Sequence, residues 1–302
     1  MISWTDHASM MLPEDPLHPV PWTRMDELSA KLRIDVPISQ PVYGMVETAL
    51  RWKNTDASKK IEVYTTGERF ESSAIVGVYK VTDSNDYRIT LHCFNKETSA
   101  LKNALIMTSR IEWKSPKTTV FFNAFHADLL SIVNECLSTH KFQIFTKRNC
   151  IYKWKSPEQL VEHEISCPED VFLAPVNLES LDMVRRHRGQ FPGVEEFVAT
   201  LILHKPSLGV YSRRTGELCA WVLCNEYYAL ASLHTLEAHR RKGYAQLLCN
   251  ALSEQLLRSN IVIGALVEDT NIPSLTLFKS LNFKSIQPFH YISAARSVTA
   301  KE

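Results

Sequence analysis

Leu233-His234-Thr235-Leu236-Glu237-Ala238-His239-Arg240-Arg241-Lys242-Gly243-Tyr244-Ala245 reads as the end of a strand, a basic loop and the start of a helix. A helix start exposes backbone N–H groups that have no intrahelical acceptor, at the positive end of the helix dipole. Together these bind a phosphate or pyrophosphate. Gly243 lets the backbone approach an anion closely and adopt dihedrals closed to other residues. Ala245 keeps the next approach open, and Arg240, Arg241 and Lys242 add charge at the mouth. A solvated basic helix start that merely contains a glycine would look the same in isolation, so the flanks decide between the two.

Downstream, Tyr244, Leu247, Leu248, Ala251, Leu252 and Gln255 fall on one i, i+3, i+4 stripe, which predicts a helix over 244–258. Residues 261–267 are apolar throughout, as in a strand covered on both faces. Asn271 is placed to cap a further helix reaching 281, with Pro273 in its first turn, and a last strand is expected over 283–292. Upstream, strands at 208–211 and 218–223 flank Arg213-Arg214-Thr215-Gly216 as a hairpin, and a third strand follows over about 228–236. A strand at 171–175 and helices over 177–186 and 194–203 precede them, the second opened by Phe191-Pro192-Gly193. The order is β-α-α-β-β-β-α-β-α-β.

The first half shows a fainter version. Helices are expected near 42–53, 97–108 and 127–139, with strands near 61–64, 74–81, 87–94, 120–122 and 142–154. Val76-Gly77-Val78-Tyr79 resembles Leu208-Gly209-Val210-Tyr211, which suggests a diverged duplication. The boundary falls over 156–170, a charged stretch bracketed by prolines in which 158–164 could form a short helix.

The 302 residues are long for one core and suit two domains. Lys plus Arg number 34 and Asp plus Glu 33, so the net charge of +1 gives no general attraction for nucleic acid. No run approaches the ~18 apolar residues that span a bilayer. The start, Met1 to His7, lacks the basic and apolar regions of a secretory signal, and Glu14 and Asp15 precede Arg24, unlike a mitochondrial presequence. A soluble cytoplasmic protein is expected. The seven cysteines form no Cys-x-x-Cys pair, so buried reduced thiols are expected and no metal site. No Gly-x-Ser-x-Gly elbow is present. The aromatic segment 120–125 reads as core, and His187 and His239 as surface residues.

Arg240-x-x-Gly243-x-Ala245 resembles the acyl-CoA pyrophosphate motif of the GNAT superfamily, Arg/Gln-x-x-Gly-x-Gly/Ala. Asn271-x-x-Ser274-x-x-Leu277-Phe278-x-x-x-Asn282-Phe283 resembles the GNAT motif that ends in Gly-Phe. The hairpin over 207–221, followed by Leu233 to Leu236, is similar to the glycine N-acyltransferase-like branch. The likeness covers about 171–292. It implies an α/β fold of two tandem GNAT-like domains, each a mixed, largely antiparallel sheet flanked by helices. Residues 1–160 would be a diverged domain without the cofactor motif, and 168–302 would bind acyl-CoA.

The resemblance further implies that N–H groups from Arg241 to Ala245, with Tyr244 among them, cradle the pyrophosphate. Main-chain groups of Leu233, His234, Thr235 and Leu236 would bind the pantetheine arm like an added strand. That strand would splay from 261–267 to open a slot. Asn271, Ser274 and Phe278 would border the cofactor. The implied reaction moves an acyl group from acyl-CoA or acetyl-CoA to the amine of a small acceptor, glycine or another amino acid by branch likeness. The mitochondrion becomes the alternative compartment. Protein or peptide N-acetylation is a second reading, and a CoA-binding pseudoenzyme or scaffold a third.

Two departures from the family pattern support the third reading. Phe278 stands where a Tyr often protonates the leaving thiolate, and Ala229 or Ala231 stands where many members carry a base. Glu226, His234 and Tyr228 are the nearby substitutes, and Tyr227-Tyr228 could line an acceptor pocket. With no clear base, the site is expected to draw on the neutral fraction of the amine, its rate climbing close to tenfold per pH unit over pH 7–9, with Glu226→Gln and His234→Ala each costing less than about tenfold.

Overall fold

The computed structural model describes residues 14–95, 98–160, 166–188, 191 and 193–296. The first half runs β1 (His18–Pro19), α1 (Met25–Ile34), α2 (Gln40–Trp52), β2 (Ile61–Thr65), β3 (Ala74–Val81), β4 (Asp86–Cys93), α3 (Ser99–Met107), β5 (Thr119–His126), α4 (Leu130–Thr139) and β6 (Phe142–Lys155). The second runs β7 (Val171–Ala174), α5 (Leu181–Arg186), α6 (Val194–His204), β8 (Ser207–Ser212), β9 (Leu218–Cys224), β10 (Leu230–Thr235), α7 (Tyr244–Arg258), β11 (Ile263–Glu268), α8 (Ile272–Ser280) and β12 (Lys284–Arg296). The two halves therefore repeat one element order. Matching them places β3 opposite β9 and β2 opposite β8. The Val76–Tyr79 likeness to Leu208–Tyr211 thus pairs strands that do not correspond, and the duplication rests on order alone.

The halves are not laid side by side. One sheet has the order β1-β2-β3-β4-β5-β12-β6-β11, and the other β10-β9-β8-β7. Each half sends its last strand to the other: β12 lies antiparallel to β5, β6 lies antiparallel to β11, and the two pair with each other along most of their length. One hydrophobic cluster joins residues of both halves, among them Val42, Met45, Tyr152, Phe197, Trp221 and Phe289. Separate clusters fill the first half around Phe122 and Val133 and the second around Leu248 and Ile263.

Local signals predict most of these elements. Helix α7 occupies the predicted span because its stripe buries Tyr244, Leu248 and Leu252 against β9 and β8. Asn271 caps α8, its Oδ1 accepting from the Ser274 N–H at 3.1 Å. Asn177 caps a short 3-10 turn ahead of α5 rather than the helix itself. Helix α1 is an addition, since its buried Met25, Leu28 and Leu32 make a narrow stripe that gains its stability by packing on α2. Residues 1–13, most of the stretch read for targeting signals, and 161–165, most of the linker helix expected over 158–164, lie outside the described residues, as does Pro192. Among the described residues no helix is long and apolar enough to cross a membrane.

Candidate acyl-transfer site

The basic loop folds as a cradle of backbone amides. Arg241 and Gly243 both take positive φ, 62° and 79°. Alternating left- and right-handed residues turn successive N–H groups toward one side. Arg240 N–H bonds the Glu237 carbonyl, and the next backbone N–H with a backbone acceptor is that of Leu247, on Gly243 O. Among the described residues, the N–H groups of 241–246 are thus unclaimed by backbone acceptors. They open on a recess of about 410 Å³ lined by Leu233, His234, Thr235, Arg240, Gly243 and Ala245 among others. A Cβ built on Gly243 meets no atom within 4 Å, so the glycine faces open space. Arg240 bends back, its Nε donating to Thr235 O at 3.3 Å. These groups fit a bound pyrophosphate.

Strand β10 leads from this recess toward the middle of the molecule. It carries a bulge between Ala231 and His234, and Ser232 sits at φ 52°. A bulge frees backbone groups from the β9 ladder, and positive φ at a serine is strain of the kind that gathers at functional sites. Beyond the bulge, β10 stays paired with β9 at His234 and Thr235 but separates from β11. Among the described residues, the one ladder link to β11 is a parallel bridge just before β10, Ala229 to Gly264, with Gly264 N–H on Tyr228 O at 3.1 Å. In the first half the corresponding β4 and β5 stay paired from Asp86 to Ile89. The splay expected between 233–236 and 261–267 is therefore present, and the outer edge of β10 is free to pair with amides of an extended ligand.

At the closed end of the splay lies a cavity of about 490 Å³, walled by both halves. The second half supplies Glu226, Tyr227, the bulge residues Ala231 and Ser232, and Arg188; the first supplies Arg88, Phe121 and Asn123. Glu226 is 1% exposed. Its Oε1 accepts from Asn123 Nδ2 at 2.8 Å, and its Oε2 has no hydrogen-bond partner. The corner that carries it is fixed by Asn225, whose Oδ1 accepts from the N–H groups of Tyr227 and Ala229 at 3.1 and 2.8 Å. Helix α2 braces it from outside: Thr48 Oγ1 donates to Glu226 O at 2.7 Å, and Gln40 Nε2 to Tyr227 O at 3.3 Å. Gly44 is required there, since a Cβ would stand 1.9 Å from Tyr227 O.

The structure therefore separates the residues singled out by sequence. Glu226 faces the cavity. His234 lines the recess instead, stacked on His187 at 4.1 Å and beside Trp221. Burial, followed by the nearby His187 and Arg240, pulls its pKa below the usual histidine value. Tyr228 is turned away into the core under Lys205, whose Nζ is 3.0 Å from its ring centroid, and burial raises its pKa. Leu233, Thr235, Arg240, Arg241, Gly243, Tyr244 and Ala245 border the recess; Lys242 does not. Leu236 packs against the core, and its N–H bonds Cys219 O. Asn271 and Ser274 form the α8 cap outside the recess, which Leu277 reaches instead. Phe278 is buried against Phe283, ring centroids 5.0 Å apart. His187, read as a surface residue, is exposed yet lines the cavity.

Sequence reading missed Arg88, Asn123 and Arg188. Arg88 did carry a signal: it sits in β4 between Tyr87 and Ile89, inside a strand buried on both faces, where a charge is costly without a purpose. No group of three or more His, Cys, Asp or Glu among the described residues could hold a metal ion.

Residues 207–292 match the FR47-like protein family. Over the whole chain, the structure resembles a Drosophila protein (TM-score 0.77, 20% identity, covering 93% of this chain and 98% of that one). It also resembles a tandem GNAT protein from the clavulanic acid biosynthesis pathway (TM-score 0.51, 12% identity, covering 94% and 99%). The fold is a tandem GNAT fold. A candidate acetyltransferase from Pyrococcus horikoshii shares it more distantly, at 9% identity and TM-score 0.53 over 98% of this chain and 95% of that one. Within this GNAT fold, the residues matched by the family span β8 to β12 and so include the bulge, the amide cradle and the splay.

Proposed function

We propose that the protein transfers an acyl group from acyl-CoA to the amine of a small acceptor. The observation that carries this reading is the alignment of three features along β10: an amide cradle at one end, a free strand edge, and a bulge that opens on a cavity walled by both halves. The cradle residues 241–245 would hold the pyrophosphate, and the edge at Leu233 to Thr235 the pantetheine arm. A thioester supplies an acyl carbon already activated for attack. In this reading the second half, 168–302, binds the cofactor, and the first, 1–160, completes the acceptor cavity.

In this reading Glu226 acts as the base. One of its oxygens is held by Asn123, and the other, also buried, has no hydrogen-bond partner and is available to accept a proton. It takes the proton that keeps an ammonium from attacking. The neutral nitrogen then bonds to the acyl carbon, the carbon–sulfur bond breaks, and the thiolate leaves. A second nitrogen proton passes to solvent as the amide forms. Negative charge that builds on the acyl oxygen meets backbone N–H groups freed at the bulge. A CoA thiolate is stable enough to depart with no tyrosine donor, so the burial of Phe278 does not prevent turnover.

A protein or peptide acceptor is less favoured because the cavity is walled by both halves. A scaffold role would leave the free Glu226 oxygen without a purpose. Purified protein should release free CoA thiol from acetyl-, butyryl- or benzoyl-CoA only when a small amine is added, with the N-acyl product seen by mass spectrometry. Tight CoA binding with no amine-dependent release from any of the three would refute transfer and leave the scaffold reading.

A further inference from the structure

Among the described residues, the cavity wall carries two guanidiniums without a salt-bridge partner. Arg88, on β4 of the first half, is 4% exposed, and its Nε and Nη2 have no hydrogen-bond partner. Its guanidinium stacks on Phe197, 3.7 Å from the ring centroid, with Phe121 and Phe191 at 4.4 and 4.9 Å. Arg188, from the second half, lies over the same Phe197 ring at 4.9 Å, and its Nη1 donates to Ser232 Oγ on the bulge. The remaining cation on the wall, Arg148, is already paired with Glu268. Glu226 is the one free acid that lines the cavity, and its Oε1 is held by Asn123. Asp86, two residues from Arg88 on β4, is buried; burial raises its pKa and the nearby Arg88 acts against that rise, but no direct salt bridge joins the two.

Burial and Arg88 together pull the Arg188 pKa down, to about 10, so the guanidinium stays charged at neutral pH. Two like charges held beside one aromatic ring repel each other, and an anion shared between them relieves that repulsion. We propose that Arg88 and Arg188, one from each half, form a carboxylate subsite, and that the acceptor is an α-amino acid. This rests on the transfer reading above and deepens it. Two cations and one free acid complement a zwitterion, one carboxylate and one ammonium. A dianion such as a phosphate monoester would instead be repelled by Glu226. The Arg188–Ser232 hydrogen bond sets the subsite against the bulge, so a carboxylate there leaves room for an amine on the adjacent carbon to reach the acyl group. An arginine fork also matches a carboxylate in two hydrogen bonds at once. The tandem arrangement thereby acquires a reason: neither half alone owns the acceptor site.

The test compares glycine with glycinamide, and alanine with alaninamide, as acceptors for the full-length protein. Each amide keeps the amine and loses the charge. The free acids should be preferred by about a hundredfold or more in kcat/KM, because a site built for a charged partner rejects an analogue that lacks it. The preference should fall below about fivefold in Arg88→Gln and Arg188→Gln, mainly through KM, and return in part in Arg188→Lys. Amides used as well as acids by the wild type, or a preference that survives both substitutions, would overturn the proposal while transfer stands. If the buried Arg88→Gln fails to fold by circular dichroism, the half-buried Arg188→Gln carries the comparison. If no amine supports CoA release, transfer itself has failed, and calorimetry with N-acetylglycine against N-acetylglycinamide still reads the subsite. A preference for the acid, weakened tenfold or more in Arg188→Gln, upholds it; equal binding of the two overturns it.

Discussion

Gly243→Ala and Gly216→Ala form a matched pair that separates strain from ligand contact. Both glycines sit in the left-handed region, Gly243 at φ 79° and Gly216 at φ 73°, and an added Cβ meets nothing within 4 Å at either. Alanine there should cost about 1–2 kcal/mol of stability, from backbone conformation alone. The two variants should therefore lose similar amounts in thermal denaturation. They differ in what the methyl faces. At Gly216 it projects from the exposed hairpin turn between β8 and β9, whereas at Gly243 it projects beside the amide-lined recess. One charge-assisted hydrogen bond lost to a displaced phosphate is worth about 1.5–3 kcal/mol. Calorimetric titration should show CoA affinity falling tenfold to a hundredfold or more in Gly243→Ala and by less than twofold in Gly216→Ala. Gly243→Ala binding CoA within twofold of wild type would refute the cradle. Equal losses in both variants would show that affinity follows stability and not contact.

Glu226→Gln keeps the shape and the Asn123 contact, so CoA affinity should hold while kcat/KM falls by about 10²–10⁴; the residual rate should then climb with pH as the neutral amine grows, and a loss under tenfold would dismiss Glu226 as the base. One CoA should bind per chain, because the first half has no glycine between Gly77 and Gly189 to form a cradle after β4; calorimetric saturation at two equivalents would contradict this. Lys205 is 5% exposed, and burial pulls its pKa to about 7. Between that pH and the ordinary lysine value the unfolded chain holds a proton the folded chain has lost, so stability should rise with pH in that window, by at most about 1.4 kcal/mol per unit, and be flat below it. Lys205→Met should abolish the rise in urea titrations at pH 6, 8 and 9.5, and parallel curves for the two proteins would count against the assignment.

Local chemistry carried much of the reading. The loop 233–245 was legible because each residue there answers to its own backbone: a glycine where φ must be positive, and a stripe of apolar residues where a helix begins. Asn271 and its cap were legible for the same reason. Glu226, by contrast, stood in the sequence as one of three candidates with nothing to rank them. Their side chains leave neighbouring positions of one corner and strand in different directions, and the directions depend on positive φ at Tyr228 and Ser232.

The sequence by itself determined the identity and order of most elements and the glycine-bearing turn at 240–245, because these follow from spacing, capping and glycine over a few residues. Only the tertiary structure decided that β6 and β12 cross between the halves, since strand pairing joins residues more than a hundred positions apart and any buried apolar strand satisfies the local rules equally. That exchange brings Arg88 and Asn123 to the cavity beside Glu226 and Arg188. The proposed cofactor site is local in sequence, whereas the proposed acceptor site is assembled only where two distant halves meet.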